Sequence, residues 1–388
     1  MARSEPSPRL TTWCLLLCCS AAAYGQVCVD NNDCSSGDEC IAGLCVAPVT
    51  DIFAYAQEAV LRDSSYIRKI QLPALFDPPE KCCFDLVGDS QLDDALGALL
   101  AILEPLGFDF QAQITARVEA GEAVKIVDWL QLPAGLGDGP VQFSVFDGFW
   151  TDGLDYATMA SGNGSAGLNP ESFGDYGAHD QFNTGSLSSG VATALGNQIA
   201  IAVAPFSIGE QWRLLPLRDP VVELPLVDSP TGCLGICTQD LTVPGQDPVD
   251  VGGGRLGGYL TGQDSLTAID EAYRGCACAG IDPDLPVIEF GPVGPAYEIQ
   301  CTDNTGDPSQ CTGQGEEFCA GLTDFCSFAG LLPQTMDADF EEVDGINDSW
   351  TAGLRLSFSG TQVTGIAGYV FADGFESGDT SAWSTTVP

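Results

Sequence analysis

The sequence predicts an α+β protein dominated by β-sheet, with a few N-terminal helices and a small disulfide-rich module ahead of the main domain. Three observations predict this class. The chain holds 46 glycines among 388 residues, which is too many for a helical bundle. Apolar residues recur at helical spacing before residue 121 and alternate with polar residues from Val124 onward. Its 17 cysteines cluster at short spacings, which indicates disulfide crosslinks.

The charge balance excludes several classes of partner. With 13 Lys and Arg against 54 Asp and Glu, the net charge is −41, and no stretch is basic enough to neutralise a phosphate backbone. Nucleic acid and anionic membrane surfaces are therefore not expected partners. The 45% hydrophobic content excludes a disordered acidic polymer. A single histidine, His179, excludes an H-E-x-x-H metalloprotease and a His-ligated metal cluster.

Residues 1–25 have the features of a secretory signal peptide. Arg3 and Arg9 precede an apolar run from Trp13 to Ala23, and small residues lie before a cleavage point at Gln26. A lipoprotein cut before Cys18 or Cys19 is the alternative, but neither cysteine follows a small residue. No later segment reaches 18 uninterrupted apolar residues, so no transmembrane segment is expected. We therefore expect an extracellular or cell-surface location.

Removal of the signal leaves 14 cysteines in an oxidising compartment, where disulfides are the default. Residues 26–47 contain Cys28, Cys34, Cys40 and Cys45 at spacings suited to two crosslinks in a segment too small for a core. This run resembles the small disulfide modules of secreted bacterial and animal proteins, a resemblance that implies a module and no activity.

The other ten cysteines belong to the main domain. They are Cys82, Cys83, Cys233, Cys237, Cys276, Cys278, Cys301, Cys311, Cys319 and Cys326, with a Cys-rich insertion near 276–330. A zinc site at Cys233, Cys237, Cys276 and Cys278 is the alternative to disulfides, although these spacings are not those of C-x2-C knuckles. Adjacent Cys82 and Cys83 are expected to bond to different distant partners, because a vicinal link is strained.

The main domain, 48–370, begins with helical patterns. Asp51 is a plausible N-cap for a helix running to Ile70, and further helices are predicted over Ala95–Leu103, Phe110–Ala120 and Asp264–Tyr273. Strands are predicted by alternation over 124–130, 141–146, 198–203 and 221–227. Residues 160–190 form either a long loop or a pair of hairpins. A last hairpin joins 354–358 to 362–371 around Ser359 and Gly360.

Three segments resemble a group of uncharacterised exported proteins of myxobacteria and related environmental bacteria: 92–100, 252–260 and 344–356. The tail, 371–388, contains D-G-F-E-S-G-D-T-S-A-W-S and resembles a C-terminal tag found on otherwise unrelated exported bacterial proteins. The tag implies a sorting or attachment role; the group implies no particular activity.

Motifs for catalysis are weak. Gly252-x-Gly254-x-x-Gly257 has the glycine spacing of a dinucleotide-binding motif, but it lacks the preceding central strand and the helix that should follow at once. A tight hairpin is predicted there instead. No G-x-S-x-G is present, and His179 lies in a polar context typical of a surface histidine. No catalytic residue is nominated. A glycoside hydrolase needs only two suitably spaced carboxylates, but 54 acids do not single out a pair.

Calcium fits the composition better, because this cation prefers several oxygen ligands from Asp, Asn and carbonyl groups in glycine-containing loops. The candidate ligands lie in one acidic turn: Asp337, Asp339, Glu341, Asp344, Asn347 and Asp348. A second, weaker cluster holds Asp85, Asp89, Asp93 and Asp94. Acidic turns without a metal are the alternative.

The leading hypothesis is a secreted or cell-surface protein with a binding or structural role, acting at the cell surface or in the extracellular matrix and stabilised by calcium if the acidic turn binds it. The rival hypothesis is an extracellular acid-pair glycoside hydrolase.

Overall fold

The computed structural model describes residues 28, 34, 38–41, 44–46, 48–49, 52–72, 82–88, 91–103, 110–151, 153–175, 177–201, 215–239, 252–293, 296–312, 317–340 and 345–366. The predicted signal peptide, the tag-like tail and the candidate ligands Glu341 and Asp344 lie outside these ranges. So does Asp89 of the weaker acidic cluster.

Helices contribute a minor share of the described chain. They are α1 (Ile52–Ala59), α2 (Ala95–Leu103), α3 (Phe110–Ala120), α4 (Tyr156–Ala160), α5 (Gly262–Arg274), α6 (Glu317–Ala320) and α7 (Leu322–Phe328). The predicted bounds of α2 and α3 are confirmed, and Gly121 ends α3 with a φ of +74°.

Strands dominate, which confirms the predicted class. The described strands are β1 (Glu39–Ile41), β2 (Leu44–Val46), β3 (Ser64–Gln71), β4 (Val124–Gln131), β5 (Gly139–Pro140), β6 (Gln142–Trp150), β7 (Ser165–Leu168), β8 (Phe173–Gly174), β9 (Gly177–Ala178), β10 (Asp180–Phe182), β11 (Thr184–Ser188), β12 (Val191–Leu195), β13 (Gln198–Ile201), β14 (Leu215–Asp228), β15 (Ile236–Thr238), β16 (Gly254–Thr261), β17 (Ile288–Val293), β18 (Ala296–Cys301) and β19 (Ser349–Ile366).

The main sheet closes on itself. Antiparallel pairs run in the order β6, β4, β3, β19, β16, β14, β12 and β11. The last strand, β11, pairs with β5, and β5 continues almost directly into β6. In the same way β10 pairs with β6, and β10 continues into β11. The circuit of strands is therefore complete. Strand β7 adds a parallel partner to β19 and an antiparallel partner to β6.

Apolar side chains pack across the strands of this circuit. Val222, Leu256 and Leu354 are directly opposite one another on β14, β16 and β19, and all three are buried. A closed sheet of about eight strands has an interior that side chains can fill. On another part of the sheet α3 packs against β3, and the buried Tyr66 hydroxyl donates to the carbonyl of Val118 over 3.2 Å.

A cysteine-rich unit lies in the chain between the neighbouring strands β16 and β19. Three disulfides hold it: Cys276–Cys319, Cys278–Cys311 and Cys301–Cys326. The buried Asp270 of α5 accepts hydrogen bonds from the amides of Val287 and Ile288, at 2.7 and 2.9 Å. This fixes α5 to the start of the β17–β18 hairpin.

The remaining disulfides are local. The N-terminal module is crosslinked by Cys28–Cys40 and Cys34–Cys45, and a tight turn is closed by Cys233–Cys237. Cys82 and Cys83 bond to each other. The expectation of distant partners for these two residues is therefore wrong, and the four cysteines of the alternative zinc site are divided among different disulfides.

The vicinal disulfide lies in residues 82–88, which together with residues 91–95 contact β16 and β19; we call these described residues the strap. Gly257 and Gly353 are cross-strand partners beneath it. An added Cβ would lie 2.6 Å from Cys83 Sγ at Gly353 and 2.5 Å from the Phe84 ring at Gly257. Two glycines side by side thus let the strap lie flat on the sheet.

Three local predictions are corrected. The helix predicted over 51–70 ends at Ala59, and its second half is β3, because pairing with β4 and β19 on both edges overrides the apolar spacing. No turn forms at Ser359 and Gly360, which lie inside the long strand β19. The glycines from 252 to 257 lead into and form β16 rather than a hairpin.

No helix in the described ranges is long and apolar enough to cross a membrane.

Candidate functional site

A cavity of about 550 Å³ lies where the N-terminal module meets the main sheet. The module contributes the hairpin strand β1, and the sheet contributes segments around β9, β10 and the start of β14. The polar side chains that line it are Glu39, Asp175, His179, Gln181, Asn197 and Asp219. A concave site with several converging polar groups is the default position for a ligand.

Hydrogen bonds attach the module to the sheet beside this cavity. The buried Asn183 amide donates to the carbonyl of Ile41 over 3.2 Å and to Gln181 Oε1 over 2.9 Å. Just after the module, the amide of Val49 donates to the carbonyl of Asp175 over 2.8 Å. The wall contributed by the module is therefore anchored to the sheet, and the cavity is a defined feature of the fold.

His179 is held by hydrogen bonds of its backbone and by a close contact between its ring and Gly174. Its amide donates to the carbonyl of Ser172 over 2.9 Å, and its carbonyl accepts from Asn197 Nδ2 over 2.9 Å. The ring packs on Gly174, where an added Cβ would lie 2.9 Å from the imidazole Cε1. His179 is exposed, as expected for a surface histidine, but the surface it occupies is the cavity wall.

Asp219 has an unusual backbone. Its φ is +43°, a left-handed conformation that costs energy for a residue with a Cβ, and it lies at a bulge where the β14–β16 register shifts. Its amide donates to the carbonyl of Asn197 over 3.2 Å. Non-glycine residues held in this way cluster at functional sites.

The pKa of the Asp219 carboxyl is shifted from its usual value. Partial desolvation raises the pKa of its carboxyl above the usual value, while the charge of Arg218 acts in the opposite direction. Arg218 is itself engaged by Asp264, with Nε to Oδ2 at 2.9 Å, and by Gln198 Oε1 at 2.8 Å. The described lining includes three carboxylates, on Glu39, Asp175 and Asp219, and no lysine or arginine.

A second cavity, of about 770 Å³, lies beside β18 and is walled by residues 330–336 and 345–347. Asn347, one of the predicted calcium ligands, lines it. Glu298 is the single carboxylate among its described lining residues.

The predicted calcium ligands in the described ranges accept hydrogen bonds from the turn itself and from β19. Asp337 accepts from the amide and the hydroxyl of Thr351, at 2.9 and 2.6 Å. Asp348 Oδ1 accepts from the amide of Phe340 over 2.9 Å, and Asp339 accepts from the amide of Gly345 over 2.8 Å. Calcium binding at Asp337, Asp339, Asn347 and Asp348 stays a prediction.

The structure also brings part of the weaker acidic cluster towards this turn. The amide of Ala95, at the end of the strap, donates to the hydroxyl of Thr351, which itself bonds to Asp337. Burial raises the pKa of Asp94 to about 6, and the charge of Asp337 adds to this shift. In the described ranges, the groups of three ligands whose atoms converge all contain disulfide-bonded cysteines.

No protein-family model matches the chain, and no curated protein or solved structure is similar to it.

Sequence reasoning did not find Asp219 or Asn197. One signal was present: the Arg218-Asp219-Pro220 triplet interrupts an otherwise alternating apolar strand, as a bulge does. The approach of the module to residues 174–181 left no local signal, because it depends on contacts between distant segments.

Proposed function

We propose that the protein is an exported, extracellular binding protein that takes a small cationic ligand in the cavity between the module and the sheet. The observation that carries the proposal is the lining, which includes three carboxylate residues and one histidine, with no lysine or arginine among its described residues. Carboxylates form strong hydrogen bonds with ammonium groups. Polyamines and amino sugars have this chemistry.

The overall charge supports the same choice of ligand. A net charge of −41 attracts cations to the surface and raises their local concentration. Seven disulfides among the described cysteines agree with an oxidising, extracellular environment. A mass-spectrometric comparison of culture medium, cell surface and cytoplasm tests the location. Recovery of the chain mainly in the cytoplasm would contradict it.

Calorimetric titration with spermidine and with glucosamine tests the ligand class. Asp219→Asn keeps the size of the side chain but removes one of the three carboxylate charges. We expect it to weaken binding about tenfold, which corresponds to roughly 1.4 kcal/mol. Asp303→Asn, an exposed change outside the cavity lining, is the matched control and should leave the affinity unchanged. Equal weakening by both variants would show only non-specific attraction to an acidic surface.

A glycoside hydrolase is the second candidate, favoured by the strained backbone and raised pKa of Asp219. A glycosidase acid needs a raised pKa so that it can protonate the leaving oxygen. In this case Asp219 is the acid, and Glu39 or Asp175 is the second carboxylate. Hydrolysis of aryl glycosides by the protein, abolished in Asp219→Asn, would favour this candidate over simple binding.

A further inference from the structure

Lys125 is a buried lysine with two carboxylates beside it. Its side chain is 4% exposed, and Nζ lies 2.7 Å from Asp147 Oδ1 and 3.9 Å from Asp180 Oδ2. Lys125 and Asp147 are direct cross-strand partners on β4 and β6. Asp180, on β10, pairs with Val145 on the other edge of β6. Residues 145 and 147 share a face, so all three charged side chains lie on one face of the sheet.

The ion pair leaves the hydrogen-bonding capacity of the Lys125 ammonium group unfilled. A lysine ammonium has three N–H donors, and in the described part of the chain Nζ makes no hydrogen bond of good geometry. A buried charge that lacks a full set of hydrogen bonds is costly. Conversion of the pair to a neutral amide would remove the buried ammonium charge together with the charge of its partly exposed partner.

The pair also lies where the sheet has no other covalent link. The seven described disulfides lie in the module, the strap, the turn at 233–237 and the insertion. None of them joins two strands of the closed circuit.

The geometry points to an intramolecular isopeptide bond between Lys125 Nζ and Asp147 Cγ, which would join β4 to β6. Proton transfer within the pair gives a neutral amine and a neutral carboxylic acid. Nζ attacks Cγ, the C–N bond forms, and the C–O bond to the leaving hydroxyl breaks. Asp180 accepts a proton from the nitrogen and returns one to the hydroxyl, which leaves as water. One amine and one acid yield one amide and one water, with no oxidant or cofactor.

Asp180 is suited to this relay. Burial raises the pKa of its carboxyl, against the charge of Lys125, and the amide of Ala200 fixes Oδ2 at 2.8 Å. Asp147 is 34% exposed, so the departing water has a route to solvent.

Mass spectrometry of the purified, reduced and alkylated protein tests the bond. We expect the chain to be lighter than its own sequence by one water, and a digest to contain a branched peptide joining Lys125 to Asp147. The sequence has only three lysines, Lys69, Lys81 and Lys125, so the branch point is easily located. Lys125→Arg keeps the charge but should restore the full mass. Asp180→Asn keeps the shape of the relay residue and should abolish most of the crosslink.

Two results would overturn the proposal. One is a wild-type chain of full mass, which would show an ordinary ion pair. The other is a mass loss that persists in Lys125→Arg, which would show a succinimide at Asp147-Gly148, a product of the same mass. Persistence of the crosslink in Asp180→Asn would contradict the relay assigned to Asp180. If Lys125→Arg fails to fold, the branched peptide in the wild type alone decides.

Discussion

The buried carboxylate of Asp128 is stabilised by specific partners rather than by solvent. Its side chain is fully buried and accepts from Arg62 through Nε at 2.9 Å and Nη2 at 2.6 Å. The Tyr55 hydroxyl donates to it over 2.9 Å, and the guanidinium lies 4.9 Å from the Tyr55 ring centroid. This group ties α1 and the loop after it to β4.

Loss of Arg62 should therefore cost far more than loss of a surface ion pair. We expect Arg62→Met to lower the free energy of unfolding by about 3–5 kcal/mol, because it leaves a buried carboxylate without its cation. Adding Asp128→Asn to this variant should recover part of the loss. Urea denaturation measures both effects. A loss below about 1 kcal/mol, typical of exposed pairs, would contradict the assigned role.

Asp94 gives stability a dependence on pH. Burial raises the pKa of Asp94 to about 6 from its ordinary value of 3.8. Between these values the folded state keeps a proton that the unfolded state has lost, so stability falls as the pH rises through this window. Asp94→Asn retains an acceptor for the amide of Gly97 and cannot ionise. Its melting temperature should exceed that of the wild type at pH 7 and converge with it near pH 4. A constant difference across this range would contradict the shift.

At the scale of elements, the strap depends on the paired glycines beneath it. Gly353→Ala places a methyl group against Cys83 and should lower the free energy of unfolding by about 1–3 kcal/mol through overpacking. Gly137→Ala is the matched control, because the nearest atom to its added Cβ is 3.7 Å away and its φ is −71°. The control should change stability by less than about 0.5 kcal/mol. Equal effects in urea denaturation would show that the strap does not lie close to β19.

Elements with a strong local signal were predictable, and those defined by distant partners were not. Helices α2 and α3 follow from apolar spacing, with Pro105 beyond the end of α2 and Gly121 at the end of α3, so the sequence predicts their bounds. Strand β3 has similar spacing but becomes a strand because it pairs on both edges. Gly360 has the residue type of a turn but lies inside β19. Its amide donates to the carbonyl of Leu234, which is so close that a side chain at position 360 would have no room.

The same distinction holds for the candidate site. Cysteine spacing predicted disulfides in the N-terminal module and in residues 276–330. The cavity depends on the contact between the module and Asn183, which no local pattern encodes. Asp219 is one of 54 acids, and only its backbone conformation in the folded chain distinguishes it.

At the scale of the whole molecule, the large negative charge makes calcium a testable stabiliser. If the turn from Asp337 to Asp348 binds calcium, a hundredfold excess over the Kd should add about 2.7 kcal/mol to the free energy of unfolding. Sodium at equal ionic strength should not reproduce the gain, because screening acts on all charges alike. Replacement of Asp344 and Asp348 with Asn keeps the oxygen ligands and removes two charges. Equal calcium shifts of melting temperature in wild type and double variant would mean that the turn is only solvated.

We propose that the cavity between the module and the sheet is the ligand site. Amide hydrogen exchange with and without spermidine tests this directly. A bound ligand lowers exchange where it rigidifies the backbone. We expect protection of 39–41, 174–181 and 196–197, with little change in the β17–β18 hairpin. Protection confined to other segments, or an unchanged pattern at saturating spermidine, would contradict it.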